Sequence, residues 1–109
     1  MPSEPVKPSA RDMIGDLAPK FTDITDKLLF GDIWERPDLS KRDRSLITVA
    51  ALVALNRTPQ LDFHLRLALQ NGVTKDEIIE AVTHLAFYSG WPTAVSTLML
   101  AKDIFAQQK

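Results

Sequence analysis

Residues 58–78 read TPQLDFHLRLALQNGVTKDEI, and they contain the start signals of two helices and a stop signal between them. Thr58 and Pro59 are an N-cap residue followed by proline at the first helical position, which is typical of a helix start. Gly72 is the residue type that most often ends a helix. Thr74 and Glu77, three residues apart, form a capping box that begins a second helix. The stretch therefore predicts two consecutive α-helices joined by a short turn.

Each of these helices, and the one that follows, has apolar residues at helical spacing. In the first helix they are Leu61, Leu65, Ala68 and Leu69. In the second, which ends at Gly90, they are Ile78, Val82, Leu85 and Ala86. A last helix starts at Trp91 and Pro92, and its predicted inward positions are Val95, Leu98, Met99 and Ile104.

Residues 46–55, LITVAALVAL, are the most apolar stretch of the chain. Its β-branched residues are compatible with a strand, but its three alanines, its length and a possible cap at Ser40 and Asp43 favour a helix over residues 41–56. The stretch is apolar nearly all round, and a helix of that kind is normally fully buried.

The N-terminal third is punctuated by proline and glycine. Residues 1–8 contain three prolines and are expected to form a disordered tail. A short helix is predicted over residues 9–17 and a second over 21–34, with Phe21, Ile24, Leu28 and Ile33 near helical spacing. The predicted fold class is all-α, a single domain over residues 9–109 that forms a bundle of five or six helices.

Composition excludes several classes of function. Thirteen basic and fourteen acidic side chains give a net charge of −1, which argues against non-specific nucleic-acid binding. The chain has no cysteine, which excludes disulfides, a thiolate nucleophile and cysteine-ligated metal. No apolar run is long enough to span a membrane, and the N-terminus has no apolar signal segment. We therefore expect a cytoplasmic protein with neither a nucleic-acid nor a membrane partner.

His64 and His84 are the two histidines, and imidazole is the side chain whose ordinary pKa lies closest to neutral pH. His64 lies within a predicted amphipathic helix, where it is either an acid–base group or a hydrogen-bonded core residue. His84 has Glu80 four residues before it and Tyr88 four residues after it, so the three share one stripe of a helix. That stripe is either functional, a solvated face or a hydrogen-bond network between subunits.

Arginines and aromatic residues supply the remaining candidates. Arg44 and Arg57 could bind an anionic substrate, form ion pairs between subunits, or simply be solvated. Five aromatic residues cluster near predicted helix ends: Trp34, Phe63, Phe87, Tyr88 and Trp91. Excess apolar surface in a small domain commonly marks a subunit interface, and the alternative is burial within a compact bundle.

Three stretches, residues 44–55, 64–78 and 80–94, resemble the carboxymuconolactone decarboxylase-like family within the AhpD-like all-helical superfamily. Residues 30–37, FGDIWERP, are similar to the lead-in of small single-domain members. The resemblance implies helical protomers that intertwine in pairs, usually as a homohexamer built as a trimer of dimers. It also implies pockets near subunit contacts and, in the decarboxylase branch, cofactor-free action on a lactone dicarboxylate from protocatechuate breakdown.

The other branch, the alkylhydroperoxidase D type, uses two cysteines, a histidine and a glutamate as a thiol peroxidase relay. Placing its histidine on His64 puts Arg57 and Gln60 where the cysteines belong and Ser45 where the glutamate belongs. Because the chain has no thiolate, peroxidase activity by that relay is not expected.

The decarboxylase branch keeps this histidine without cysteines, and the resemblance implies His64 as the acid–base residue. The catalytic prediction is His64 with His84, and the substrate-binding prediction is Arg44, Arg57, Tyr88 and Trp91. No cofactor and no metal are expected. The partners expected are other copies of the chain and a small anionic or carbonyl ligand. Chemistry on another small carbonyl compound, and a non-catalytic ligand-binding or stress-associated oligomer, remain alternatives.

Overall fold

The computed structural model describes residues 14–108, and these residues contain five α-helices and no strand. The helices are α1 (Pro19–Ile24), α2 (Lys41–Ala54), α3 (Thr58–Gln70), α4 (Lys75–Ser89) and α5 (Trp91–Gln107). The all-α prediction is therefore confirmed. The tail predicted over residues 1–8 and most of the helix predicted over 9–17 lie outside the described residues. No helix in the described part of the chain is long and apolar enough to cross a membrane.

The chain divides into two compact units, whose described parts are residues 14–41 and 42–108. In the first unit, α1 has Pro19 at its start and runs into a π-helical turn over Thr25–Leu29. A 3-10 turn follows over Ile33–Glu35. The prediction of one helix over residues 21–34 is therefore wrong. Helical geometry changes twice within those residues, so their apolar side chains do not form the single buried stripe that their spacing indicated.

The second unit has its core between α2, α3, α4 and α5. Val49 and Val53 of α2 are fully buried, and so are Leu61 and Leu65 of α3. The core as a whole consists of Val49, Val53, Leu61, Leu65, Ala68, Val73, Ile78, Val82, Ala86, Ala94, Ala101 and Ile104. The predicted apolar faces of α3 and α4 are confirmed, with Leu69 and Leu85 at the margin of the core.

Two predictions of burial are wrong. In α2, Ile47 is 57% exposed and Leu55, just beyond its end, is 66% exposed, so that helix buries one face instead of its whole surface. In α5, Val95 is 43% exposed and Met99 is 67% exposed, although both were predicted to point inward. The residues of α5 that are buried are Ala94, Thr97, Ala101 and Ile104. Small side chains allow the backbones of packed helices to approach closely, and here the longer Val95 and Met99 are left outside.

Left-handed residues end two of the helices. Asn56 has a φ of 58° after α2, and Gly72 has a φ of 100° after α3. Beyond each of them a backbone N–H reaches back into the helix, from Arg57 to the Leu52 carbonyl and from Val73 to the Ala68 carbonyl, both at 2.9 Å. Both ends are Schellman motifs, which satisfy the last carbonyl groups of a helix.

The predicted helix starts are partly confirmed. Thr74 accepts a hydrogen bond from the backbone N–H of Glu77, and the Glu77 carboxylate accepts one from the backbone N–H of Thr74, so the capping box of α4 is present. Thr58 is not an N-cap: it is the first residue of α3, and the preceding Arg57 makes no side-chain cap. Proline tolerates either of the first two helical positions, so the motif did not fix the boundary to one residue.

Candidate functional site

His64 lies on α3 and is half-buried. Its Nδ1 atom is buried, and its ring meets the ring of Phe63 edge-on, with 5.0 Å between ring centroids and an interplanar angle of 88°. Burial lowers the pKa of His64 by removing water from the charged imidazolium form. The neutral form is therefore the resting state at pH 7, with one ring nitrogen able to accept a proton.

Arg57 and Gln60 lie on the same side of α3 as His64. Arg57 directly precedes the helix, and the spacing of three and then four residues places the three positions along one stripe. The Arg57 side chain is exposed. A guanidinium two turns from an imidazole is suited to hold a carboxylate, because its planar fork matches the two carboxylate oxygens.

Arg44 and Ser45 begin the part of α2 that faces the core. Arg44 is half-buried, and its backbone carbonyl accepts a hydrogen bond from Thr48 Oγ1 at 2.7 Å. Ser45 is fully buried, and its hydroxyl accepts a hydrogen bond from Asn71 Nδ2 at 3.0 Å. Ser45, which stands at the position of the relay glutamate of the peroxidase branch, thus links α2 to the end of α3.

His84 and Tyr88 form a ring contact on α4. Their centroids are 4.9 Å apart and the rings are tilted by 31°. Both side chains are exposed, and so is Glu80 one turn earlier. The predicted stripe is therefore present and faces solvent in the single chain.

Trp91 begins α5, is 61% exposed and meets Phe87 of α4 edge-on at 5.8 Å. It stands beside the same end of α4 as Tyr88, because Gly90 is the one residue between the two helices.

The six predicted site residues thus fall into two groups. Arg44, Arg57 and His64 are carried by α2 and α3, and His84, Tyr88 and Trp91 by α4 and α5.

Sequence reasoning missed two side-chain networks in this unit. The first joins the starts of α2 and α4, because Arg42 donates to both Asp43 and Glu77. Since Arg42 and Glu77 are 35 residues apart in the sequence, no local pattern predicts the bond between them. The backbone N–H of Thr74 and the Arg42 guanidinium together lower the pKa of Glu77, because both stabilise its carboxylate.

The second network joins α3 to the end of α5. Arg66 donates to the carboxylate of Asp62 at 3.3 Å and to Gln107 Oε1 at 2.8 Å. The four-residue spacing of Asp62 and Arg66 predicts an ion pair on a helix, whereas no local pattern predicts the contact with Gln107. Arg66 therefore connects α3 to the end of α5.

Phe63 was predicted as one of the clustered aromatic residues near helix ends, but its contact with His64 was not predicted. Adjacent positions on a helix point in directions about 100° apart, so a ring contact between residues 63 and 64 is not expected from spacing. Within residues 14–108, no group of three or more histidine, aspartate or glutamate side chains is placed to hold a metal ion.

Comparison with known proteins places this site in context. The sequence matches the carboxymuconolactone decarboxylase family over residues 19–103. It is 37% identical to a 4-carboxymuconolactone decarboxylase of Acinetobacter baylyi over 84% of this chain and 69% of that protein. It is also 37% identical to a nitrosuccinic acid decarboxylase of Metarhizium robertsii, over 67% of this chain and 51% of that protein. An uncharacterised 15.0 kDa protein of Paracoccus denitrificans is 30% identical over 75% of this chain and 63% of its own length.

Proposed function

Because this chain belongs to the carboxymuconolactone decarboxylase family, we propose that it decarboxylates a small carboxylated lactone or a related carbonyl compound without a cofactor. The observation that carries the proposal is the half-buried imidazole of His64, whose pKa is lowered by burial. Two relatives at 37% identity carry names of decarboxylases, which supports the same class of reaction here.

The two compounds in those names share a chemical feature. One is a carboxylic acid on an unsaturated lactone and the other is a carboxylic acid beside a nitro group. In both, an electron-withdrawing group can take the electron pair released when carbon dioxide leaves. We extend that requirement to the substrate of this chain: a small carboxylate conjugated with, or next to, such a group.

The proposed reaction has two steps. The carbon–carbon bond to the carboxylate breaks, carbon dioxide leaves, and the electron pair moves onto the carbonyl oxygen as an enolate. The negative charge of the enolate favours the imidazolium form of His64, which takes its proton from water. The imidazolium then donates its proton to the nucleophilic carbon of the enolate and returns to the neutral form. The net change is one proton from solvent consumed and one carbon dioxide released.

Arg57 and Arg44 bind the anionic parts of the substrate in this proposal. Arginine suits that role because its guanidinium is always charged and can donate two parallel hydrogen bonds to one carboxylate. His84, Tyr88 and Trp91 complete the pocket wall by polarising the carbonyl and covering its apolar part. Their exposure in the single chain fits a pocket that is closed by a second copy.

Self-association is part of the proposal. The surface concerned, which we call the α4–α5 face, consists of Phe87, Tyr88, Trp91, Val95 and Met99, all exposed. Trp91, Val95 and Met99 follow one another at four-residue spacing, so they form one stripe of α5. A contiguous apolar stripe of this kind is typical of a subunit interface. The assembly proposed is a homohexamer built as a trimer of dimers, in the cytoplasm.

The test is turnover of 4-carboxymuconolactone and of nitrosuccinate by the purified protein, followed by ultraviolet absorbance and carbon dioxide release. We expect His64→Gln to lower kcat by about 100-fold or more, the usual size of a general acid–base contribution. The matched control is Asp103→Asn, an exposed position of α5 outside the proposed site.

Two results would contradict the proposal. One is a folded wild-type protein that turns over neither compound. The other is His64→Gln activity within a few-fold of wild type. A carboxylate that raises Tm but is recovered unchanged would identify a binding protein in place of an enzyme.

A further inference from the structure

A groove of about 320 Å³ lies between the start of α4 and the end of α5. The two helices form a hairpin with Gly90 between them, which brings Lys75 at the start of α4 next to Phe105 near the end of α5. The groove is lined by Ile79, Leu98, Ala101, Lys102 and Phe105. None of these is a residue of the site proposed above.

The lining combines an apolar floor with cationic groups. Ala101 is fully buried beneath the floor, and Ile79 is 42% exposed, so the floor is accessible from solvent. Lys102 is the one charged residue of the lining. Lys75 adds a second ammonium group, with Nζ 5.7 Å from the centre of the Phe105 ring. Among residues 14–108, neither lysine is in an ion pair with an acidic side chain.

We propose that this groove binds a small amphipathic monocarboxylate, such as a medium-chain fatty acid or an aromatic acid. The chain or ring lies on the apolar floor, and the carboxylate remains at the rim beside Lys102 and Lys75. Ligand pockets are typically apolar cavities of roughly this size with a few polar groups that fix orientation. Burial of the apolar part supplies affinity, and the ammonium groups select for an anion.

The same chemistry separates this groove from the proposed catalytic site. A dicarboxylate has a charge at each end, so one carboxylate would have to lie on the floor formed by Ile79, Leu98 and Phe105. Burying an ionised carboxylate without a partner is strongly unfavourable. The groove therefore discriminates against dicarboxylates of the kind that the His64 site is proposed to bind.

The test is a titration of the full-length protein, labelled with 13C in its isoleucine and leucine methyl groups, with octanoate followed by NMR. We expect saturable shifts of the methyl groups of Ile79 and Leu98. Octan-1-ol, which keeps the chain without the charge, should bind at least fivefold more weakly, and octanedioate should bind more weakly still. Lys102→Gln should weaken octanoate binding by about tenfold, as for loss of a charge-assisted contact. Lys20→Gln on α1 is the matched control and should leave binding unchanged.

Ile79→Asp places a negative charge on the floor and should abolish octanoate binding without removing a core side chain. Three results would overturn the proposal: shifts that do not saturate, affinity unaffected by both Lys102→Gln and Ile79→Asp, or shifts confined to methyl groups outside the groove. Light scattering on the same samples tests whether a second copy of the chain occupies the groove instead. If Ile79→Asp lowered the oligomer mass, the groove would be a subunit contact and the proposal would fail. None of these readouts depends on turnover at His64.

Discussion

The imidazole of His64 takes its chemical character from its immediate surroundings on α3. The ring is half-buried and edge-on to Phe63, and burial lowers its pKa. Sequence spacing identified His64 as one of two candidate acid–base groups but gave no information on its protonation state. Burial depends on what packs around α3, and that is fixed by residues distant in the sequence.

Phe63→Leu should raise the pKa of His64 toward its ordinary value of about 6.5, because a smaller side chain leaves the imidazolium better hydrated. The measurement is a proton NMR titration of the imidazole Hε1 resonances, assigned with a His84→Gln variant. Phe105→Leu, which removes a ring from α5 outside both the proposed site and the α4–α5 face, is the control and should leave the His64 titration in place. A wild-type His64 that titrates at or above its ordinary pKa would contradict the structural account.

The lowered pKa of His64 also makes the free energy of unfolding depend on pH. Since its pKa in the folded state lies below that in the unfolded state, the unfolded chain binds more protons in the interval between the two values. The stability linked to His64 is therefore present above about pH 6.5 and is lost as pH falls through that interval. Urea unfolding of wild type and His64→Gln between pH 5 and 8 should show the difference, with a smaller decrease at low pH in the variant.

At the scale of the helices, the start and stop residues predicted more than the apolar pattern did. The capping box at Thr74 and the stop at Gly72 are local signals, and both were found as predicted. Two predicted inward positions of α5, Val95 and Met99, were wrong, because which residues of α5 are buried depends on how closely the neighbouring helices approach. The breaks after α1 were missed because helices of different hydrogen-bonding pattern share similar apolar spacing.

Gly72→Ala should destabilise the protein by about 1–2 kcal/mol, since an L-residue with a side chain is strained in the left-handed region. A Cβ atom at this position would have open space around it, so the cost comes from the backbone and not from a clash. Asn56→Gly is the matched comparison at the other left-handed helix end and should be neutral or slightly stabilising, because glycine adopts that conformation freely. Urea denaturation at pH 7 measures both, and equal effects of the two substitutions would contradict the argument.

Thr74→Ala should cost about 1 kcal/mol through loss of the N-cap of α4. Its effect should depend on pH, because the backbone N–H of Thr74, which alanine keeps, and the Thr74 hydroxyl, which alanine lacks, both help to hold the pKa of Glu77 low. Stability linked to Glu77 is present above its unfolded pKa of about 4.3 and is lost as pH falls toward its folded value. The difference in unfolding free energy between wild type and Thr74→Ala should therefore become smaller from pH 7 to pH 3, leaving the contribution of the cap itself, whereas a constant difference would contradict this linkage.

Over the chain as a whole, more apolar residues were predicted to be buried than a single copy of the chain buries. In the second unit the exposed large apolar residues are Ile47, Leu55, Ile79 and those of the α4–α5 face. The pattern could not show which residues these are, because an inward-facing residue and an interface residue obey the same spacing. The division into two units at residues 41 and 42 was also not predicted, since no proline or glycine marks it.

Met99→Lys should disrupt self-association, because it places a charge in the middle of the exposed stripe of α5. Multi-angle light scattering at several protein concentrations should show a lower mass than for wild type, with unchanged helical circular dichroism. Ser96→Lys adds the same charge at an exposed position of α5 that lies off this stripe and is the control. A wild-type protein that is monomeric at all concentrations, or a Met99→Lys variant of unchanged mass, would contradict the role of this face.

The hydrogen bond from Asn71 to Ser45 has a consequence for attempts to redesign this scaffold. Introducing a thiol relay of the alkylhydroperoxidase D type takes cysteines at position 57, just before α3, and at position 60 in its first turn, together with a glutamate at position 45. The first two positions are exposed and would accept the change. The third is fully buried, so a carboxylate there would lose its water and displace the serine that ties two helices together. A designer would have to rebuild the packing around position 45 before introducing any of the new chemistry.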